Sequence, residues 1–277
     1  ARAGLLLMKL FRRNLIRPTR VPLPPQLKDD PIHVRIRDLH KSYGEHHVLK
    51  GISLDIYRGK TNLIIGPSGS GKTVLMRQLI RLESPDTGEL LVNGIDFAKL
   101  EGLELAGMRR TFGMVFQMSA LFDSMTVFDN VAFPLREHTD FSRNEIRERV
   151  MDRLTGLGIA AAAHKLPAQL SGGMQKRVAV ARAMILESEI LIYDEPTTGL
   201  DPITTEMVDD LITEAEEMFG VTSIVISHDM ASVVRIANHL SFLHLGRIAA
   251  TGTPEDLLHS EHPATAEFVR ASRISLE

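Results

Sequence analysis

Residues 61–82 read TNLIIGPSGSGKTVLMRQLIRL. Thr61–Ile65 is a continuous apolar run, the pattern of a strand buried on both faces of a parallel sheet. The run stops at Gly66, and Gly66, Pro67, Ser68, Gly69, Ser70, Gly71, Lys72 and Thr73 match G-x-x-x-x-G-K-[ST] at every position. Helical periodicity resumes over Val74–Leu82. In a strand–loop–helix context, the glycines let the backbone curl so that successive N–H groups point at phosphate oxygens, and the helix start adds its positive dipole end. Lys72 is placed to reach the β- and γ-phosphates, and the Thr73 hydroxyl to ligate Mg²⁺.

A phosphate loop needs a carboxylate for its metal. Ile190–Asp194 (ILIYD) is a second apolar strand, ending in an acid and followed at once by Glu195. Asp194, at the carboxyl end of that strand, is placed to orient Mg²⁺-bound water, and Glu195 to take a proton from an attacking water.

The folded body is expected to begin near Ile32, where Ile32, Val34 and Ile36 alternate with polar residues as in a half-buried strand. Ile52–Ile56 alternates likewise, and Glu89–Val92 precedes the turn signal Asn93-Gly94. From about Gln117 to Leu186 the pattern turns helical. Ser142 and Glu145 form a capping box ahead of Ile146, Val150, Met151, Leu154 and Leu157, Gly156 and Gly158 stop that helix, and another follows Gly173. Strands are then expected at Glu189–Tyr193 and Thr222–Ile226, with a hairpin around Gly246. Between the strands, Ile203–Phe219 reads as a helix with Met207, Val208, Leu211, Ile212 and Ala215 on one face.

The 277 residues are 44% hydrophobic and 24% charged, ordinary for a globular chain. The absence of cysteine excludes disulfide scaffolds, thiolate nucleophiles and Cys-ligated metal centres. The net charge of −3 hides an asymmetry: Arg2, Lys9, Arg12, Arg13, Arg17, Arg20 and Lys28 precede the first acid, so the remainder carries −10. That sign disfavours a body that binds nucleic acid. Residues 1–31 read as a basic amphipathic segment (Leu7, Leu10, Phe11, Leu15) and a proline-rich linker. A frayed tail, a transit peptide and an arm for a membrane surface or partner are all consistent with that composition. No stretch approaches the ~20 apolar residues of a membrane-spanning helix.

Taken together, these residues resemble the ATP-binding subunit of an ATP-binding-cassette (ABC) transporter. Leu170–Gln175 (LSGGMQ) is similar to the signature motif of that family, which is far more specific than the phosphate loop alone. Gln117 after Met114-Val115-Phe116 resembles the Q-loop glutamine, Gly199-Leu200-Asp201 the D-loop, His228 in SHD the switch histidine, and Tyr43 in KSYG the aromatic that stacks on adenine. The likeness covers about residues 32–260. Leu121–Thr139 (LFDSMTVFDNVAFPLREHT), with Met174 where most members carry Gln, is most like the ATPases of MCE/Mla-type phospholipid transport systems of Gram-negative envelopes, which have chloroplast relatives.

The resemblance implies an α/β P-loop NTPase fold of the ABC ATPase type: a RecA-like core, an antiparallel β subdomain and an α-helical subdomain at about 118–186 inserted in a domain spanning 32–277. It implies ATP and Mg²⁺ as ligands, with Thr73, Gln117 and Asp194 at the metal and Lys72, Glu195 and His228 in catalysis. Ser171, Gly172 and Gly173 are expected to meet the nucleotide of a second copy in an ATP-bound homodimer, with Asp201 beside it. Integral-membrane permease subunits are implied as partners at the cytoplasmic face of the inner membrane, with an MCE-domain protein and a small regulatory subunit, and no nucleic acid. The apolar run Met118, Ala120, Leu121, Phe122, Met125, Val127, Phe128, Val131 and Phe133 reads either as core or as a groove for a short permease helix. Rival functions are import of amino acids or metal ions, since those ATPases share the same motifs, and soluble ABC ATPases of DNA repair or ribosomes. The latter usually carry two cassettes, a long coiled coil or zinc cysteines, none of which is present.

Overall fold

The computed structural model describes residues 29–117 and 119–272. The basic arm of residues 1–28, Met118 and the last five residues lie outside them, so the readings of the amphipathic segment and most of the proline-rich linker fall there.

Two sheets are stacked. The first is antiparallel, in the order β2-β1-β4-β5: β1 is Ile32–Tyr43, β2 His46–Tyr57, β4 Thr87–Val92 and β5 Ile95–Asp96. The second has the order β10-β9-β3-β8-β7-β6, with β3 Thr61–Ile65, β6 Phe112–Val115, β7 Ile190–Asp194, β8 Thr222–Ser227, β9 His239–His244 and β10 Arg247–Gly252. Strands β9, β3, β8, β7 and β6 run parallel, and β10 returns antiparallel along the edge. The Asn93-Gly94 and Leu245-Gly246 turns both place two successive residues at positive φ (52° and 73°, 47° and 79°), the geometry a two-residue hairpin needs.

Parallel strands have no water-facing side, and β7 shows why a continuous apolar run is required. Ile190 and Ile192 point into the core between the two sheets, whereas Leu191 and Tyr193 point into the core on the opposite face. The first core is completed by Leu75, Met76 and Leu79 of α1 (Lys72–Leu79). The second is covered by helices α3 (Val127–His138), α4 (Arg143–Gly156), α5 (Gly172–Met184), α6 (Pro202–Phe219) and α7 (Met230–Ile236). Helix α2 (Gly102–Arg109) follows β5, and α8 (Pro254–Leu258) and α9 (Pro263–Ser272) close the described chain.

The capping box at Ser142 and Glu145 forms as read, and α4 ends at Gly156 with Gly158 at φ 69°. Several boundaries differ. The helix after the phosphate loop is Lys72–Leu79 rather than Val74–Leu82, because Arg81 turns to positive φ (53°). Phe116 lies outside β6 and is 42% exposed. On α6, Val208, Leu211, Ile212 and Ala215 are buried, but Met207 is 53% exposed, rotated off that face toward Gly173.

Candidate active site

The parallel register gathers the loops that carry chemistry. Ile65 pairs with Ser227, Asp194 with Ile226 and Val115 with Tyr193. The chains leaving β3, β6, β7 and β8 therefore emerge from one edge, bringing the phosphate loop, Gln117, Asp194-Glu195 and His228 together at the carboxyl ends of the strands.

The phosphate loop is held from behind. A Cβ at Gly66 would lie 2.1 Å from the carbonyl oxygen of Leu243 in β9, so only glycine permits that approach. Gly246 N–H donates to Ser70 C=O, and Lys50 N–H of β2 to Gly246 C=O, which fastens the loop to both sheets. Gly71 is at φ 110° and caps α1, leaving its free N–H groups at the loop. Lys72 is only 8% exposed. Its ammonium folds over the loop and donates to the carbonyls of Gly66 (2.7 Å) and Pro67 (3.2 Å), with Glu195 Oε1 at 3.9 Å. Burial pulls this amine below its ordinary pKa, against the pull of the Glu195 and Asp194 carboxylates. The Ser70 hydroxyl is buried without a hydrogen-bond partner, while Ser68, Gly69 and Thr73 face solvent.

Asp194 is pushed above the ordinary carboxylate value, first by burial and then by its like-charged neighbour Glu195. Glu195 turns out of β7 at φ 48°, with its N–H on the carbonyl of Ile226. One carboxylate oxygen, Oε2, is gripped twice, by His228 Nδ1 at 2.6 Å and by the Thr198 hydroxyl at 2.8 Å. This leaves Oε1, facing Lys72, as the oxygen able to take a proton. Among the described residues no group of three or more His, Asp or Glu is built to hold a metal alone. A divalent cation here would draw part of its ligand set from phosphate, as small hard cations commonly do.

Tyr43 ends β1 with its ring 45% exposed and its hydroxyl on the Glu83 carboxylate. Its hairpin reaches the phosphate loop through β2, where Val48 and Leu49 line the space that a Cβ on Gly71 would enter. The remaining expected residues lie elsewhere. Ser171 caps α5, its Oγ accepting from Met174 N–H, and the described hydrogen bonds of Ser171 stay within that first turn. Gly172 has open space where a Cβ would be, and Gly173 faces Met207. Asp201 caps α6, accepting from Ile203 and Thr204 N–H and from the Thr204 hydroxyl. The apolar run after Gln117 divides: Val127 and Val131 are core, whereas Phe122 is 42% exposed.

Sequence reasoning missed what holds the Gln117 loop. Lys176, one helical turn into α5, donates to the carbonyls of Gln117 and Pro196, and Arg182 donates to those of Ser119 (3.0 Å) and Ala120 (2.8 Å). The available signal was positional, since Lys176 shares an i, i+4, i+8 stripe with Val180 and Met184, both buried.

The family model described as "ABC transporter" matches residues 49–198. The chain is 38% identical over 237 residues, 86% of its own length and 90% of the relative's, to the intermembrane phospholipid transport system ATP-binding protein MlaF of Haemophilus influenzae. It is 36% identical over 243 residues, covering 88% of this chain and 70% of the relative, to the probable ribonucleotide transport ATP-binding protein mkl of Mycobacterium leprae. Among solved structures, CbiO1 of Clostridium perfringens, part of the cbiONQ ABC transporter complex, superposes with a TM-score of 0.78 at 29% identity, covering 84% of this chain and 93% of that one. The ATP-binding cassette MJ0796, a dimer in a post-hydrolysis state with ADP and phosphate, does so with a TM-score of 0.69 at 32% identity, covering 80% and 98%.

Proposed function

The chain belongs to the ABC transporter family and has the fold of its ATPases, and from that premise we propose that it hydrolyses ATP to drive phospholipid transport through membrane-embedded permease subunits. The observation that carries the cargo is the likeness, over 86% of this chain, to a protein named for intermembrane phospholipid transport. Residues 32–277 form the ATPase domain in this reading, with the helical segment at about 118–186 inserted in it, and residues 1–31 a basic arm.

Lys72 and the loop N–H groups of Gly66–Thr73 grip the β- and γ-phosphates of ATP. Thr73, Gln117 and Asp194 would hold Mg²⁺, which when bound neutralises phosphate charge. Tyr43 offers its exposed ring to the adenine. A water in line with the γ-phosphorus forms the new P–O bond as the bond to the bridging oxygen breaks and ADP leaves. Its proton passes to Glu195 Oε1, the oxygen that His228 and Thr198 leave untouched. The solvent-facing Ser171-Gly172-Gly173 turn, at a helix start, supplies a second phosphate-binding surface, so two copies close over two ATP molecules. The dimer of MJ0796 supports this arrangement.

Exposed Phe116 and Phe122 support docking of a permease helix near Gln117. Among the described residues no helix is long and apolar enough to cross a membrane, in keeping with a peripheral subunit, here assigned to the cytoplasmic face of the inner membrane. An MCE-domain protein and a small regulatory subunit complete the assembly in this reading. Affinity purification from detergent-solubilised membranes should bring down integral-membrane subunits rather than RNA or DNA. In vesicles, the assembled complex should show ATPase activity that rises with phospholipid. Stimulation only by a small solute with its binding protein, or only by ribonucleotides as the name of the Mycobacterium leprae relative would suggest, overturns the lipid assignment.

A further inference from the structure

Lys176 is 8% exposed, and among the described residues no carboxylate lies within ion-pair distance of it. Its ammonium is satisfied by two backbone carbonyls from different loops, that of Gln117 after β6 and that of Pro196, the residue after Glu195. The same helix opens with the Ser171-Gly172-Gly173 turn. One side chain thus joins three pieces of machinery: the turn that faces outward, the loop of the expected metal ligand, and the loop of the expected base. Arg182 adds a second tie, because the two carbonyls it holds belong to Ser119 and Ala120, both at positive φ (58° and 45°). That pair of left-handed residues is costly in a free chain and is maintained by its partners.

A buried cation without a counter-charge is an expensive way to fill space; an apolar side chain of equal length would avoid its desolvation cost but leave the Gln117 and Pro196 carbonyls without that donor. Its value must come from the three donors it can aim in different directions. We propose that Lys176 is a positioning residue that couples the two nucleotide sites of a dimer: when the signature turn of one chain closes on its partner's ATP, α5 carries the Gln117 and Glu195 loops of its own site with it. This rests on the sandwich dimer proposed above.

The test compares the full-length chain with its K176M, K176R and S171R variants. For each, nucleotide binding, turnover against ATP and Mg²⁺ concentration, and melting temperature are measured. Lys176→Met trades the lost desolvation cost against two carbonyls left without their donor, so it should melt within a few degrees of the parent and bind ATP within about threefold. Its turnover should fall roughly tenfold or more, its Mg²⁺ requirement should rise, and its dependence on ATP concentration should lose cooperativity. Lys176→Arg should recover part of the turnover. Turnover and Mg²⁺ dependence within twofold of the parent in Lys176→Met, or a fall in turnover that only tracks a fall in melting temperature without rescue by arginine, would overturn the coupling role. Ser171→Arg separates the two ideas. Unchanged turnover there removes the sandwich dimer itself, while lost turnover there with a normal Lys176→Met removes only the coupling.

Discussion

Glu195 is the base in the proposed mechanism, and its local geometry supports that proposal. Its positive φ of 48° swings the side chain out of the strand line, and the two donors on Oε2 fix which oxygen remains available. Glutamine keeps the shape and the backbone conformation but cannot accept a proton as a base. Glu195→Gln should therefore bind ATP within about threefold of the parent while turnover falls roughly 10²–10⁴-fold, the usual worth of a positioned base. A variant with near-normal ATPase activity in a phosphate-release assay would take Glu195 out of that role. Its place beside the phosphate loop could be read from the chain, because an apolar strand ending in two acids sets them at the carboxyl edge of the same parallel sheet. The grip on Oε2 was only half legible. His228 was picked out from the family resemblance, but nothing marked Thr198, three residues on in the Thr-Thr-Gly-Leu turn. Lys176 and Arg182 were missed for a related reason: cations in a helix read as solvated unless their stripe is seen to be apolar.

At the level of elements, the phosphate-loop strand, the capping box and the hairpin turns were legible because each rests on local chemistry. Helices α2, α7, α8 and α9 were not singled out, being short pieces whose faces are set by what they pack on. The packing of α6 on α7 holds a group that periodicity could not flag. Asp209 lies on α6 between the apolar positions Val208 and Leu211, fully buried, with Ser232 and Arg235 of α7 nearby and Arg235 Nη1 at 3.7 Å. Burial raises its carboxyl to about 6, more than the Ser232 hydroxyl and Arg235 lower it. A carboxyl raised in the folded state binds its proton more tightly there than in the unfolded chain. Stability from this group is therefore greatest below about pH 4 and is lost as pH rises from there through about 6. Asp209→Asn removes that loss. At pH 7.5 it should be more stable by about 2–3 kcal/mol, some 5 °C or more in melting temperature, with the difference shrinking toward pH 4. Melting scans across that range check the sign, and a variant that melts below the parent at pH 7.5 would show that the Arg235 contact outweighs burial.

For the whole molecule, the sheet edge collects the residues proposed to bind a triphosphate and activate water, yet Ser171 and Gly172 face solvent at the start of a different helix. That division was legible as spacing along the chain, but only the three-dimensional structure displays the open space beside Gly172 and the side-on Met207. Helix starts with free N–H groups favour anions, and an ATP bound to one chain offers the phosphates that such a turn would contact in another. ATP then acts as a ligand with higher affinity for the closed pair than for the single chain, so it shifts the monomer–dimer equilibrium by mass action. With hydrolysis blocked by Glu195→Gln, addition of ATP and Mg²⁺ should convert a 30.8 kDa species to twice that mass by light scattering, and EDTA should reverse it. Ser171→Arg in the same background should stay monomeric, because a guanidinium at the helix start fills the space the phosphates need. In the parent protein, turnover per chain should climb with protein concentration until the dimer saturates. A sample that remains monomeric at every ATP concentration and still turns over at the maximal rate would leave no role for the second copy.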